Sequence, residues 1–216
     1  IMLSVACMGY ATPAFAADAV VKTNKAWLSG ATHIYGRMTV SGITSSNIKE
    51  KGFCYSSVNQ MPTVEDGTSK IYLSNQGEIY NISQLKPATV YYIRAYVKKT
   101  NGDVVYGDPV KAITRPKGGV TYNINDGFPS DALTRVLSAA KEAIDLWNEY
   151  TGIHGLHITI NYGAQTQTAD CSYGGWMRIG PNASYQKTGT LLHEMLHAIG
   201  VGTHGTWQNS FLRSNT

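Results

Sequence analysis

Two kinds of hydrophobic spacing divide the chain. Between about residues 20 and 114, short runs of Val, Ile, Thr and Tyr alternate with Gly, Pro, Asn and Ser, the pattern of β-strands and turns. Residues 26–30, 52–55 and 90–97 are such runs. Asn101-Gly102 then predicts a type I′ hairpin, which needs φ > 0 at both central residues, and 104–107 returns. Seven such strands in about 100 residues predict an all-β sandwich with Greek-key connections. From residue 118 onward the spacing changes. A strand-like run at 120–124 precedes a helix whose Leu133, Val136, Leu137, Ala140, Ile144 and Trp147 recur at helical spacing. Ser130 or Asp131 is placed to cap that helix and Gly152 to stop it. Alternating positions at 156–162 and a short run at 176–179 predict two more strands, and a second helix runs from Thr188 to about Gly200. The expected architecture is multidomain: an all-β sandwich over 17–115, then an α+β domain over 118–216, joined by Arg115-Pro116-Lys117-Gly118-Gly119.

Composition narrows the function classes. With 43% hydrophobic and 10% aromatic residues in 216, the chain is too apolar to be disordered. A net charge of +4 without a basic run gives no case for nucleic acid as a partner. No apolar stretch reaches the roughly 18 residues of a transmembrane segment. Residues 1–16 carry no charged side chain and end in Ala14-Phe15-Ala16, the small-x-small pattern of a signal peptide. They imply an extracytoplasmic protein, secreted or at the cell surface of a bacterium, with Cys7 a weak candidate for lipid attachment. Cys54 and Cys171 lie too far apart for a Cys-x-x-Cys metal site. Cys54 reads as a buried thiol in a strand, and Cys171 falls in a polar loop, where it could meet a cysteine of another chain.

The segment Leu85-Lys86-Pro87-Ala88-Thr89-Val90-Tyr91 resembles the fibronectin type III family, in which such a run leads into the sixth strand. The resemblance implies that the Tyr91 hydroxyl bonds back to upstream backbone and pins a corner. It implies a spacer or binding module without catalytic residues. The many aromatics could form a face for glycan or cell-surface contact, although strand packing accounts for them more simply.

The second helix carries His193-Glu194-Met195-Leu196-His197. Residues i and i+4 share a helix face, so His193 and His197 can both present an imidazole to one Zn²⁺ ion, with Glu194 beside the ion's open position. On this reading Leu192, Leu196 and Ile199 form the opposite, buried face. With His and Glu each 6 in 216, the pattern arises by accident in roughly 1 chain in 200 of this composition. His154 and His157 have no helical partners and read as surface residues.

His193, Glu194, His197 and Gly200 resemble the metzincin metallopeptidases, whose signature is His-Glu-x-x-His-x-x-Gly-x-x-His followed by a Met-turn. The resemblance implies a secreted zinc endopeptidase acting on a protein or peptide substrate, with Zn²⁺ as cofactor and Glu194 as general base. It implies that Gly200 turns the chain back so that a third His reaches the metal. His204 falls one residue later than the family pattern, and the freedom of Gly202 can absorb the difference. The third ligand could instead lie beyond residue 216, where a Met-turn would also fall. The resemblance further implies that a sheet edge pairs with the substrate, a role given to Trp176, Met177, Arg178 and Ile179. Two other readings stay open: a non-catalytic surface module with a structural or degenerate zinc helix, and another zinc hydrolase whose last ligand is a downstream Glu.

Overall fold

In a computed structural model of the protein, residues 18–66, 69–72 and 79–212 are described. The expected leader over 1–16, with Cys7, lies outside them. The described residues fall into two compact units. The first draws on 18–25, 36–66, 69–72, 79–80 and 92–111, and the second on 26–35, 81–91 and 112–212.

The N-terminal part is a β-sandwich of fibronectin type III-like strand order. Its strands are β1 (Val20–Ser29), β2 (Ile34–Ser41), β3 (Ile48–Ser56), β4 (Ser69–Tyr72), β5 (Ile79–Ile82), β6 (Val90–Lys99), β7 (Val104–Tyr106) and β8 (Val110–Ile113). One sheet runs β1-β2-β5 and the other β4-β3-β6-β7, with β8 also on β6. The expected return at 104–107 is β7, and a further strand, β8, follows it after Pro109, which has no N–H to give a ladder. The Tyr91 hydroxyl accepts a hydrogen bond from the Lys86 N–H at 2.9 Å, the corner that the resemblance implies. Tyr80, Tyr91 and Tyr96 are buried, so much of the aromatic content goes into packing. The hairpin at Asn101-Gly102 is not of type I′. Gly102 alone has positive φ (98°), while Lys99 N–H reaches the Asp103 carbonyl and Gly102 N–H the Lys99 carbonyl, giving a three-residue loop. Cys54 is the buried thiol expected. It donates to the carbonyls of Pro62 (3.2 Å) and Arg94 (3.4 Å), and burial pushes its pKa up to about 11.

The C-terminal part contains β9 (Gly119–Ile124), α1 (Ser130–Tyr150), β10 (His154–Tyr162), β11 (Ala169–Cys171), β12 (Trp176–Ile179) and α2 (Thr188–Ala198). The sheet order is β11-β12-β10-β9, with β9 and β12 parallel to β10 and β11 antiparallel to β12. One core joins Val120, Ile158, Ile160, Met177 and Ile179 of the sheet to Val136, Ile144 and Trp147 of α1 and to Leu191, Met195 and Ala198 of α2. Both helices therefore pack on the same sheet face. In α1 the buried stripe is continued by Ala132, Ala139 and Ala143, whereas Leu137 is 46% exposed. Small alanines let the helix lie close to the sheet, and Leu137 falls just outside the contact. The helix begins at Ser130 after Pro129 without a side-chain cap, and ends where Thr151 turns extended and its hydroxyl donates to the Trp147 carbonyl at 2.7 Å. Gly152 plays no left-handed role in that ending.

Two further expectations are corrected here. Cys171 is not in a polar loop: it belongs to β11, is buried, and its thiol pKa is raised to about 12, chiefly by burial. Trp176–Ile179 is not the sheet edge: β12 is hydrogen-bonded to β10 on one side and β11 on the other, so the edge strand is Ala169–Cys171. Among the described residues no helix is long and apolar enough to cross a membrane.

Candidate metal and catalytic site

Helix α2 is held at both ends. Before its first turn the buried Gln186 donates through Nε2 to the Gly180 carbonyl (2.9 Å) and accepts from Arg135 Nε of α1 (2.8 Å). At its end the Gly200 N–H bonds the His197 carbonyl and the Val201 N–H bonds the Leu196 carbonyl, both at 3.0 Å, with Gly200 at φ 106°. This is a Schellman motif, which needs a left-handed residue at the position after the cap, and glycine adopts that conformation without steric cost.

The face of α2 that meets the core is Leu191, Met195 and Ala198 together with Glu194. Leu196 and Ile199, expected to be buried, are 41% and 40% exposed, and Leu192 is half-buried. The helix is rotated relative to the expectation because the sheet's apolar side chains meet the Leu191–Met195–Ala198 stripe. The same rotation carries Glu194, between the histidines, into the protein.

His193 is exposed and His197 half-buried, and their ring centres lie 5.0 Å apart, edge to face. His197 Nδ1 lies 2.6 Å from the Val201 carbonyl oxygen. A carbonyl only accepts, so Nδ1 carries the proton, and in the neutral ring Nε2 keeps its lone pair. The Schellman turn that places Val201 thus also sets the tautomer of His197, the arrangement by which backbone carbonyls orient metal-ligating imidazoles. Glu194 is only 6% exposed, and among the described residues no hydrogen bond is made to its carboxylate. Burial raises its pKa above the ordinary glutamate value, opposed by the nearby His197 and His193. A largely desolvated acid that meets the cleft rather than a protein donor, next to two imidazoles, marks a candidate functional group.

His204 does not join this pair. Its Nδ1 accepts from the Thr206 N–H at 3.1 Å, and its ring lies against Tyr173 with 4.7 Å between centres. A backbone N–H only donates, so the proton of the neutral ring sits on Nε2, the reverse of His197. Among the described residues no group of three or more His, Cys, Asp or Glu is gathered as a metal cluster. The residues expected to touch substrate are dispersed as well. Met177 and Ile179 are fully buried in the core, while Trp176 and Arg178 point to the sheet face opposite the helices. His157 is exposed, as expected, but held between Thr121 and Asn123.

A cleft of about 380 Å³ opens beside His193 and Glu194, lined by Thr168, Tyr185, Lys187, Gly189 and Thr190. Sequence reasoning passed over this segment because a short 3-10 turn, Ala183–Tyr185, carries no periodic signal. Asn182, whose side chain accepts from the Ser184 N–H, is the one cue that a turn precedes the helix. Together these groups can hold a divalent cation through two imidazoles, move a proton through Glu194 and receive a side chain in the cleft.

No protein-family model and no curated protein matches the chain. Similar solved structures include a fibronectin type III domain of human contactin 1, at 18% identity over 54% of this chain and 96% of that one, with a TM-score of 0.35. The sixth fibronectin type III domain of human fibronectin type III domain containing protein 3 is 21% identical over 56% of this chain and 96% of its own, with a TM-score of 0.29. Pectate lyase Pel3 from Pectobacterium carotovorum is 13% identical over 50% of this chain and 32% of its own, with a TM-score of 0.30.

Proposed function

We propose that the C-terminal part is a zinc-dependent peptidase domain, secreted or at the cell surface, and that the sandwich serves it as a spacer or binding module. The observation that carries this reading is Glu194: a side chain only 6% exposed, drawing no hydrogen bond from the described residues, set between His193 and His197 on the helix and bordering the 380 Å³ cleft. The donors suit zinc, since imidazole nitrogen is among its preferred ligands and His197 already has its proton on the nitrogen away from the site. His193 and His197 would hold the ion. His204 would join only by leaving Thr206 and changing tautomer.

Bound zinc supplies a Lewis acid that polarises an amide carbonyl. Glu194 takes the proton of the attacking water as its oxygen adds to the carbonyl carbon. The same proton then passes to the amide nitrogen as the C–N bond breaks. The raised pKa of Glu194 suits the first half of this transfer, because a carboxyl that binds its proton more tightly is a better acceptor. Ala169–Cys171 is the outer strand of the sheet on this side, the position at which an extended peptide would pair, and the 380 Å³ cleft lies beside His193.

The experiment is Glu194→Gln. Peptide hydrolysis by the zinc-loaded chain falls about 10²–10⁴-fold or more while one zinc per chain is retained. Retained hydrolysis removes Glu194 as the base. Stoichiometric zinc with no hydrolysis by the unmodified chain favours the second reading, a binding module with a structural or degenerate metal helix, which the outward engagement of His204 supports.

A further inference from the structure

The face of the C-terminal sheet turned away from the helices carries an ordered polar surface that the core and the histidine helix do not use. Side chains alternate along a strand, so while Val120, Ile158, Ile160, Met177 and Ile179 enter the core, their neighbours point outward. The register sets these neighbours in rows. His157 lies beside Thr121, Thr159 stands between Asn123 and Trp176, and Arg178 stands between Asn161 and Asp170.

Five of the side chains form one head-to-tail chain of hydrogen bonds. The Thr121 hydroxyl lies 2.8 Å from His157 Nδ1, and His157 Nε2 lies 2.8 Å from Asn123 Oδ1. An amide oxygen only accepts, so Nε2 donates, and in the neutral ring Nδ1 takes the Thr121 proton. Asn123 Nδ2 donates to Asn125 Oδ1 (2.7 Å), Asn125 Nδ2 to Asn161 Oδ1 (2.8 Å), and Asn161 Nδ2 to the Met177 carbonyl (3.0 Å). Every member is oriented by the one before it, so the rotamers are fixed before any ligand arrives. Asn123 Oδ1 also accepts from the Thr159 hydroxyl (3.2 Å), so Asn123 has one N–H left to present outward, while Asn125 has one N–H and one lone pair.

Beside this array Asp170 receives Arg178 bidentately, at 2.9 and 2.6 Å. The guanidinium carbon lies 5.2 Å from the centre of the Trp176 ring. Trp176 is 49% exposed, a large ring left in water with one flank held by the arginine. A cleft of about 760 Å³ lies here, between the loop 163–168 and Trp176, Asp170 and Arg178.

We propose that this face binds a neutral polysaccharide. The two charges on it cancel within one ion pair, so it offers an anionic ligand no free cation. Both β10 and β12 are hydrogen-bonded on each side, so a peptide strand finds no free backbone in the middle of the face. A sugar ring matches what is there. Its C–H face is apolar and seats on a flat indole, while its hydroxyls both donate and accept, as the outward half of the Asn125 carboxamide does, with the free Asn123 N–H as a further donor. An exposed aromatic among convergent, pre-oriented polar groups is the usual make-up of such a site. The inference does not rest on the peptidase reading: Trp176, Arg178 and the asparagines lie on the sheet face opposite α2, although the two clefts share Thr168 and Asp170 belongs to the edge strand.

The test is affinity electrophoresis of the full chain through gels containing hydroxyethyl cellulose, xylan, galactomannan or dextran, with heparin as the charged comparison. At least one neutral polymer retards the chain, Trp176→Ala weakens that retention about tenfold, and Asn125→Ala weakens it severalfold. Circular dichroism of each variant matches that of the unmodified chain; if Trp176→Ala unfolds, the exposed Asn125→Ala carries the test. No retardation by any neutral polymer, retardation by heparin alone, or retention unchanged in both variants overturns the proposal.

Discussion

The buried threonines of the sandwich and Glu194 of the helix-bearing part are buried in opposite ways. In the N-terminal strands the buried hydroxyls serve the backbone. Thr23 Oγ1 accepts from the Ala95 N–H at 2.9 Å. Thr114 Oγ1 accepts from the Thr89 N–H at 2.9 Å and donates to the Lys86 carbonyl at 2.6 Å. Each stitches together chain segments whose amides would otherwise lose water without gaining a partner. On α2 the buried Glu194 stitches nothing. Its burial holds a charge-bearing group near two imidazoles, and the fold carries the desolvation cost. The contrast separates a polar group that the fold uses from one that it does not, and it predicts opposite signs on mutation.

Thr114→Val keeps the shape of a side chain only 1% exposed and strands the Thr89 N–H and the Lys86 carbonyl. We expect a loss of roughly 2–3 kcal/mol in urea unfolding of the full chain. Glu194→Leu in the metal-free chain at pH 7 is expected to go the other way, with a gain of roughly 1 kcal/mol, as when buried charges give way to apolar groups. The sign follows from the raised pKa. The folded chain holds the Glu194 proton more tightly than the unfolded chain, so stability declines as pH rises from the unfolded value through the folded one. Leucine removes that decline. If both substitutions destabilise equally, Glu194 is an ordinary core residue.

What the sequence revealed follows the same division. The sandwich was legible because turn residues and the Leu85–Tyr91 run are local signals, and Tyr91 bonds the Lys86 N–H as that run implies. Helix α2 was legible from its histidine spacing and its terminal glycine. Its rotation was not. Leu192, Leu196 and Ile199 compete with Leu191, Met195 and Ala198 for the buried side on equal hydrophobicity, and only the shape of the sheet decides. The edge strand Ala169–Cys171 was missed because three residues show no alternation long enough to read, and that miss shifted the edge onto Trp176–Ile179. The opposed tautomers of His197 and His204 depend on which backbone group each Nδ1 meets, and spacing does not encode that.

Gly200→Ala bears on the link between the turn and the site. At φ 106° an alanine is strained, and its Cβ would stand 2.8 Å from the Cβ of His204. Stability falls by roughly 1–2 kcal/mol. Zinc affinity falls as well, because the Val201 carbonyl that orients His197 moves with the turn. Unchanged zinc affinity alongside the stability loss would detach the Schellman motif from the chemistry.

The smallest expected effect is chemical and compares the two parts through their thiols. Cys54 and Cys171 are buried in separate cores, with pKa values pushed up to about 11 and about 12, chiefly by loss of water. The thiolate is the reactive form, so at pH 8 a reagent such as Ellman's should find neither thiol in the folded chain and both in urea. The same shift implies a stability flat from pH 6 to about 8.5 that declines above the ordinary thiol pKa, where only the unfolded chain ionises readily. Of the two, Cys171 informs more. It sits on the edge strand, and Glu194 is among the groups that raise its pKa. If Cys171 alone becomes labelled while the Cys54 core stays closed, the edge strand opens without the sandwich. That outcome would place the flexible element beside the candidate catalytic carboxylate, where an incoming peptide strand would have to pair.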